Sequence, residues 1–232
     1  MRIAIDARKL RDFGIGTYLR NILIELSRLD RDTEYVVLCR PDDVGSGDVL
    51  GQNFRMVPET APTYSIAEQF KIPLSLAREG ARLVHEPHYV LPPLIKCRSV
   101  VTIHDCIHLR FPQYLPNRAA LLYARTVMTV AARRSKRVLT VSNASKEDIL
   151  SYLGVPASKV EVIYNALDER LEAPPTPEDV VRVRERFQLT SPFILYTGNI
   201  KPHKNVDRLI EAYSLLRPRG FEHVKLLIIG DE

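Results

Sequence analysis

The feature that most constrains this chain is an alternation. Short apolar runs rich in valine and isoleucine are separated by segments with helical periodicity. The runs in the first 165 residues are RIAIDA (2–7), EYVVLC (34–39), FRMVP (54–58), RLVHEP (82–87), SVVTIHD (99–105), RVLTVS (137–142) and VEVIYN (160–165). Most are continuous, as strands covered on both faces are. Between them, TYLRNILIELSRL places Leu19, Ile22, Leu23 and Leu26 on one stripe. SKEDILSYLG opens on Ser145 and Asp148 with capping-box-like spacing and closes on Gly154, with Pro156 beyond. PNRAALLYARTVMTVAARRSK carries Leu121, Leu122, Val127, Met128, Ala131 and Ala132 at mostly helical spacing. Such alternation predicts an α/β layer fold with a mainly parallel sheet.

The pattern changes at EAPPTPED (172–179), which reads as a linker. Within it, Thr176, Pro177, Glu178 and Asp179 have the order of an N-cap, a first-turn proline and an acidic first turn, opening a short helix to Phe187. FILYTG, NVDRLIEAYSLLR and VKLLIIG then form one βαβ unit. Alone, that unit would leave apolar faces and open edges. Either it extends the first sheet, or it begins a second domain cut short; truncation is the expectation adopted. The expected division is a domain over 1–170, a linker and short helix over 171–190, and an incomplete second domain over 191–232.

With 45% hydrophobic and 26% charged residues, the composition is that of a soluble globular protein. A net charge of +5 suits anionic small molecules, nucleic acid or an anionic membrane, and selects none of them. Nucleic acid is disfavoured because basic residues are read as interleaved with acids throughout. Cys39, Cys97 and Cys106 are odd in number and have no zinc-ligand spacing, so they are expected to be free thiols in a reducing compartment. MRIAIDARKLRDF has no long apolar run, and AALLYARTVMTVAA (119–132) is short for a membrane span and interrupted by Arg125. A cytoplasmic protein is expected.

In open α/β sheets, ligands bind beyond the carboxyl ends of the strands. Those positions hold Gly14 and Gly16 after the first strand, His85, Glu86 and His88 after the fourth, and His104, Asp105 and His108 after the fifth. Asn143 follows the sixth strand, Asn165 the seventh, and Asn199, Lys201, His203 and Lys204 follow FILYTG. Most of the histidines thus gather at one edge, which argues for a cleft. Gly-Ile-Gly before a helix admits close backbone approach by an anionic ligand, or is a plain tight turn. A G-x-G-x-x-G dinucleotide fingerprint is absent, since Leu19 stands at its third position, and this disfavours a nicotinamide-dependent dehydrogenase. His104 can donate to a sugar hydroxyl or steady developing charge, or it is a satisfied strand-end histidine. The histidine spacing matches no compact metal motif. Lys201 and Lys204, ahead of a helix that Asn205 could cap, read as a phosphate site or as a solvated basic loop. A phosphate charge 4 Å from a lysine is worth about 4 kcal/mol at an effective dielectric of about 20, and far less in open water. The site is therefore useful only in a closed cleft.

FGIGTYLRNIL, HEPHYVLP, VVTIHDCIHLRFP, VLTVSNASKEDILSYLGVPASKVEVIYNALD and ILYTGNIKPHKNVDRLIEAYSLL, in that order, resemble the family-4 (group 1) glycosyltransferases over nearly the whole chain. The resemblance implies the GT-B fold: a Rossmann-like N-terminal acceptor domain and a second Rossmann-like domain holding a nucleotide-diphosphate sugar. It implies sugar transfer, usually with retention and without bound metal, onto a glycan or glycolipid in cell-surface polysaccharide synthesis. By position, His104 and Lys204 are the catalytic candidates, His104 at the transferred sugar and Lys204 at the diphosphate. Gly14 and Gly16 would approach donor phosphates and acceptor, and His85, Asp105, Asn143, Asn165, Asn199 and Lys201 are the remaining substrate-binding candidates. Two departures stand out. Asn199 occupies a position where many members have arginine, and PHKN replaces PRKN, so Lys201 is expected to compensate. The family's acidic E-x7-E type motif is absent, so the fragment alone is expected to be inactive. A lipid-linked acceptor is expected, and Arg118, Arg125, Arg133, Arg134, Lys136 and Arg137 either bring an apolar stripe to an anionic inner membrane face or form the solvated basic end of a buried helix. The alternative is a non-catalytic glycan- or partner-binding module derived from the acceptor domain.

Overall fold

The computed structural model describes residues 1–167, 171 and 173–230. The chain divides into two units, Met1–Asp168 and Glu169–Glu232. The expected boundary at residue 170 and the linker's first residue, Glu172, fall outside the described residues.

The first unit is built on one sheet of seven parallel strands: β1 (Arg2–Asp6), β2 (Glu34–Cys39), β3 (Phe54–Pro58), β4 (Leu83–Glu86), β5 (Arg98–Thr102), β6 (Arg137–Thr140) and β7 (Val160–Val162). The order across the sheet is β3-β2-β1-β4-β5-β6-β7. This is the expected Rossmann-like α/β architecture. Its helices are α1 (Phe13–Leu29), α2 (Glu68–Arg78), α3 (Ile107–Arg110), α4 (Arg118–Arg134) and α5 (Asn143–Leu153). α1 buries Leu19 and Leu23 against Ile5, Val37 and Tyr35. In a second core, Ile72 and Leu76 of α2, Met128 and Ala131 of α4 and Ile149 of α5 close over Val36, Val84, Val101 and Val138.

Several strands end earlier than their apolar runs. β4 stops at Glu86 because Pro87 has no N–H for the ladder. β5 stops at Thr102, which leaves His104 and Asp105 in the loop beyond it. α1 starts at Phe13, with Gly16 N–H already bonded to the Asp12 carbonyl at 2.6 Å, so Gly14 and Gly16 lie inside its first turn rather than ahead of it. α5 starts at Asn143. Its cap is Ser142, whose Oγ accepts from Ser145 N at 3.1 Å, three residues before the cap expected from sequence. Gly154 closes it in the left-handed conformation, φ 60°, as expected. α4 is capped by Asn117, and its Leu122 faces solvent instead of joining the apolar stripe.

In the second unit, α6 (Pro177–Arg186) has the N-cap expected at Thr176, which Asp179 closes into a capping box. β8 (Phe193–Thr197), α7 (Val206–Leu216) and β9 (Lys225–Ile229) form the βαβ unit, whose two parallel strands make a sheet of their own.

Candidate functional site

The chain leaves β1 toward β2, while β4 lies on the opposite flank, so the carboxyl ends of β1 and β4 bound a crevice at the reversal of strand order. Asp6 ends β1 and Glu86 ends β4; one step beyond the Ile5–His85 register these carboxyls are neighbours. Arg8 joins them. Its Nε donates to Asp6 Oδ1 at 2.9 Å, its Nη2 to Glu68 Oε1 at 2.6 Å, and its Nη1 to the Ala61 carbonyl at 2.9 Å. Burial opposes the guanidinium charge, but Asp6 and Glu68 outweigh it and raise the Arg8 pKa. Three buried carboxyls surround this one guanidinium. Burial first, and then the Asp6 charge, push the Glu86 pKa well above 4.5, and Glu86 shares a hydrogen bond with Asp6. Glu86 therefore keeps its proton above the ordinary carboxylate range, as a buried carboxyl beside another carboxylate does.

A small cavity of about 20 Å³ lies at this point, lined by Asp6, Arg8, Lys9, Tyr64, Glu86 and His88 among others. Glu86 Oε1 and His88 Nδ1 have no hydrogen-bond partner there. The cavity has room for one water. Tyr64 bonds His88 Nε2 at 3.0 Å and holds a left-handed backbone, φ 61°.

Beside the crevice, Tyr18 of α1 bonds Thr102 Oγ1 at 2.9 Å, and Thr102 Oγ1 bonds His85 Nε2 at 2.8 Å. Burial, then the neighbouring His104, lowers the His85 pKa to about 4. His85 is enclosed in this chain of bonds. With 9% of its surface exposed, it supports the site through these bonds. The Tyr18 ring meets His104 edge to face, with centroids 4.9 Å apart. His104 is half-buried and its Nε2 lies 3.1 Å from the Pro87 carbonyl. A carbonyl only accepts, so Nε2 carries the proton. Burial lowers the His104 pKa, so the ring is neutral and Nδ1 is an acceptor. The donating role expected for His104 thus becomes an accepting one: Nδ1 can receive a hydroxyl proton.

The two glycines of α1 separate in role. A Cβ on Gly16 would stand 2.3 Å from the Leu10 carbonyl oxygen, so Gly16 is required for packing. A Cβ on Gly14 would meet nothing within 4 Å. Gly14 lines an open groove of about 480 Å³ with Thr17, Tyr18, Asn21, Tyr164 and Asn165. Asn143 donates to Tyr164 Oη at 2.9 Å, which brings Asn143 to the groove's edge. Asp105 is exposed and accepts from Ile107 N at 3.0 Å, opening α3.

In the second unit, Gly198 follows β8 with φ 145°, and the Gly230 backbone passes so close that a Cβ there would collide with the Gly198 carbonyl. Asn199 accepts from Tyr196 Oη at 2.9 Å through its carbonyl. Lys201 and Lys204 are exposed at the two ends of a 3-10 turn closed by Lys204 N to Lys201 O at 2.8 Å. Asn205 precedes α7 in the left-handed conformation and makes no side-chain cap bond, which corrects the expected cap.

Sequence reasoning missed Tyr18, Thr102, Arg8 and the Asp6–Glu86 pair. A carboxylate ending each of two apolar strands was the available signal for that pair. Interleaved charge also fails locally: residues 87–146 hold ten lysines and arginines and one acid, Asp105. Among the described residues, no three His, Cys, Asp or Glu side chains are placed to hold a metal ion. No described helix is long and apolar enough to cross a membrane.

The fold and crevice define a Rossmann-like α/β protein with a candidate ligand site at the strand-order reversal. Residues 14–171 match the model of Glycosyltransferase Family 4, and residues 178–232 match that of Glycosyl transferases group 1. The chain belongs to the family-4 glycosyltransferases. It is similar to the O-antigen chain mannosyltransferase B of Escherichia coli, 29% identical over 149 residues, 64% of this chain and 38% of that protein. It is also similar to the alpha-D-kanosaminyltransferase of Streptomyces kanamyceticus, 26% identical over 62% of this chain and 37% of that one. The crystal structure of Anabaena Alr3699/HepE in complex with UDP and glucose superposes with a TM-score of 0.69 at 17% identity, covering 100% of this chain and 61% of that one. Sucrose-phosphate synthase from Thermosynechococcus elongatus gives 0.68 at 15% identity, over 99% and 62%. The chain thus spans under two fifths of these curated relatives and about three fifths of these solved chains.

Proposed function

We propose that this chain belongs to a retaining glycosyltransferase that moves a sugar from a nucleotide-diphosphate donor to a glycan or lipid-linked acceptor in cell-surface polysaccharide synthesis. The observation that carries the reading is His104. It is a neutral imidazole held by the Pro87 carbonyl and the Tyr18 ring, with Nδ1 left to accept from a hydroxyl, in a family-4 chain. In this reading Nδ1 orients a hydroxyl of the transferred sugar, and Gly14, Asn143 and Asn165 line the approach. Lys204, aided by Lys201, meets the diphosphate charge that grows as the glycosidic bond breaks. Asn199 and the turn after it shape that second site. Lysine charge takes the place of a metal, so chelator should leave turnover unchanged. The enzyme would act in the cytoplasm, peripheral to an anionic membrane face.

We infer that the 232-residue chain binds donor weakly, because among the described residues β8, α7 and β9 offer a nucleotide two strands and one helix. Incubating the complete gene product with a panel of radiolabelled nucleotide sugars and membrane extract tests the transferase reading. Incorporation into glycan from one donor is expected, and no incorporation from any donor would overturn it. Micromolar nucleotide-sugar binding to the 232-residue chain in calorimetry would overturn the weak-binding inference.

A further inference from the structure

α1 also borders a pocket apart from the crevice. Leu10, Leu23, Ile24, Val49, Leu50 and Met56 line it, and its volume is about 260 Å³. Small-molecule sites begin at about 300 Å³, so it suits a compact ligand. One wall is the 3-10 segment Pro41–Val49. Gly47 lets that segment pass against β3, because a Cβ there would collide with the Met56 side chain. The pocket shares no lining residue with the crevice cavity or with the groove at Gly14.

Arg11, Arg20, Asp43 and Ser46 also line it. Arg11 Nε donates to Asp43 Oδ1 at 2.6 Å, so those two charges offset each other. Ser46 Oγ donates to the Asp43 carbonyl at 2.6 Å. Two capacities are left over. The Asp43 side chain is 6% exposed, and its Oδ2 has no hydrogen-bond partner among the described residues. A buried carboxylate oxygen without a donor is costly. Arg20 is half-buried, and among the described residues it meets only neutral acceptors. Its Nη1 donates to the Leu10 carbonyl at 2.6 Å and its Nη2 to Thr17 Oγ1 at 3.0 Å. A charge drawn out of water is ordinarily matched by an opposite one. Arg20 is tied to Leu10 and Asp43 to Arg11, which are consecutive residues, so both capacities belong to one polar corner.

We propose that this pocket binds a compact hydroxy acid with an apolar body. The body fills the apolar walls, the carboxylate meets Arg20, and the hydroxyl donates to Asp43 Oδ2. A neutral alcohol would leave Arg20 unmatched, and an amine would meet its charge head on. The site stands independently of the transferase reading.

Calorimetry on the 232-residue chain with 3-hydroxyoctanoate, octanoate and octanol tests it. 3-Hydroxyoctanoate should bind. Octanoate lacks the hydroxyl and octanol the carboxylate, and each should bind about tenfold or more weakly, as losing a hydrogen bond to a charged partner does. Arg20→Gln should weaken the two acids by a similar factor and leave octanol unchanged. Arg20 also holds the Leu10 carbonyl, so circular dichroism checks the fold. Val49→Asp supplies a second variant at a position 76% exposed, where like charge should also weaken the acids. No binding of 3-hydroxyoctanoate overturns the proposal and leaves the polar corner to water. Octanol binding as tightly as the acids overturns it too. So does acid binding unchanged by both variants, which would place the ligand on another face. Equal affinities for octanoate and 3-hydroxyoctanoate overturn the role of Asp43. Acid binding by a chain whose gene product transfers no sugar would uphold the pocket and sink only the enzymatic reading.

Discussion

Glu86→Gln isolates the buried carboxyl cluster. Glutamine keeps the shape of a protonated glutamate, and its amide can donate to Asp6 where the Glu86 O–H does. In the unfolded chain Glu86 titrates near 4.5; in the fold, buried against Asp6 with Arg8 and Glu68 close by, it titrates well above that. Above the ordinary carboxylate range the folded protein still binds a proton that the unfolded chain has released. The associated stability is complete below about pH 4.5 and is lost as pH rises toward the raised value. One proton corresponds to about 1.4 kcal/mol per pH unit. Glutamine carries no such proton, so its unfolding free energy should gain on wild type by about that slope across the window. The chain has no tryptophan, so far-UV circular dichroism in urea at half-unit steps from pH 5 to pH 9 is a suitable readout. Parallel stability profiles would refute the argument by showing that Glu86 is ionised in the fold. A loss of about 3 kcal/mol or more at pH 5, where the two side chains should be equivalent, would refute the Asp6 hydrogen bond.

The two glycines of α1 should respond oppositely. Gly16→Ala forces a Cβ against the Leu10 carbonyl and should cost about 1–3 kcal/mol in thermal or urea unfolding. Gly14→Ala meets open space and should stabilise α1 by up to about 1 kcal/mol while lowering activity if a ligand approaches there. His85 should stay neutral to about pH 4 in an NMR titration, and the stability present above 6.5 should fall by about 1.4 kcal/mol per unit as pH drops between those values. A midpoint near 6.5 would contradict its burial. On the proposed transferase reading, Lys204→Ala should lower turnover about 100-fold or more. His104→Ala should lower activity with the melting transition kept; unchanged kinetics would remove either residue from the mechanism.

The sheet was legible because parallel strands buried on both faces write themselves as continuous apolar runs, and all seven runs of the first unit became strands in order. Their ends were less legible. An apolar run continues past the last ladder bond wherever the loop is itself buried, as Ile103 and Cys106 are, so His104 was read into a strand that ends at Thr102. α2 was missed because Pro73 sits in its middle, where a proline ordinarily ends a helix. What the sequence could not show is pairing between distant residues. Tyr18, Thr102 and His85 meet only because β4 and β5 are neighbours in the sheet and the Tyr18 side chain of α1 reaches toward their carboxyl ends. Asp6 and Glu86 meet only because β1 and β4, separated by β2 and β3 in the chain, are neighbours in the sheet. That adjacency creates both the crevice and the need for a buried proton. The strand order that forms the candidate ligand crevice therefore also raises the Glu86 pKa, and a change that unpairs β1 from β4 should abolish both together.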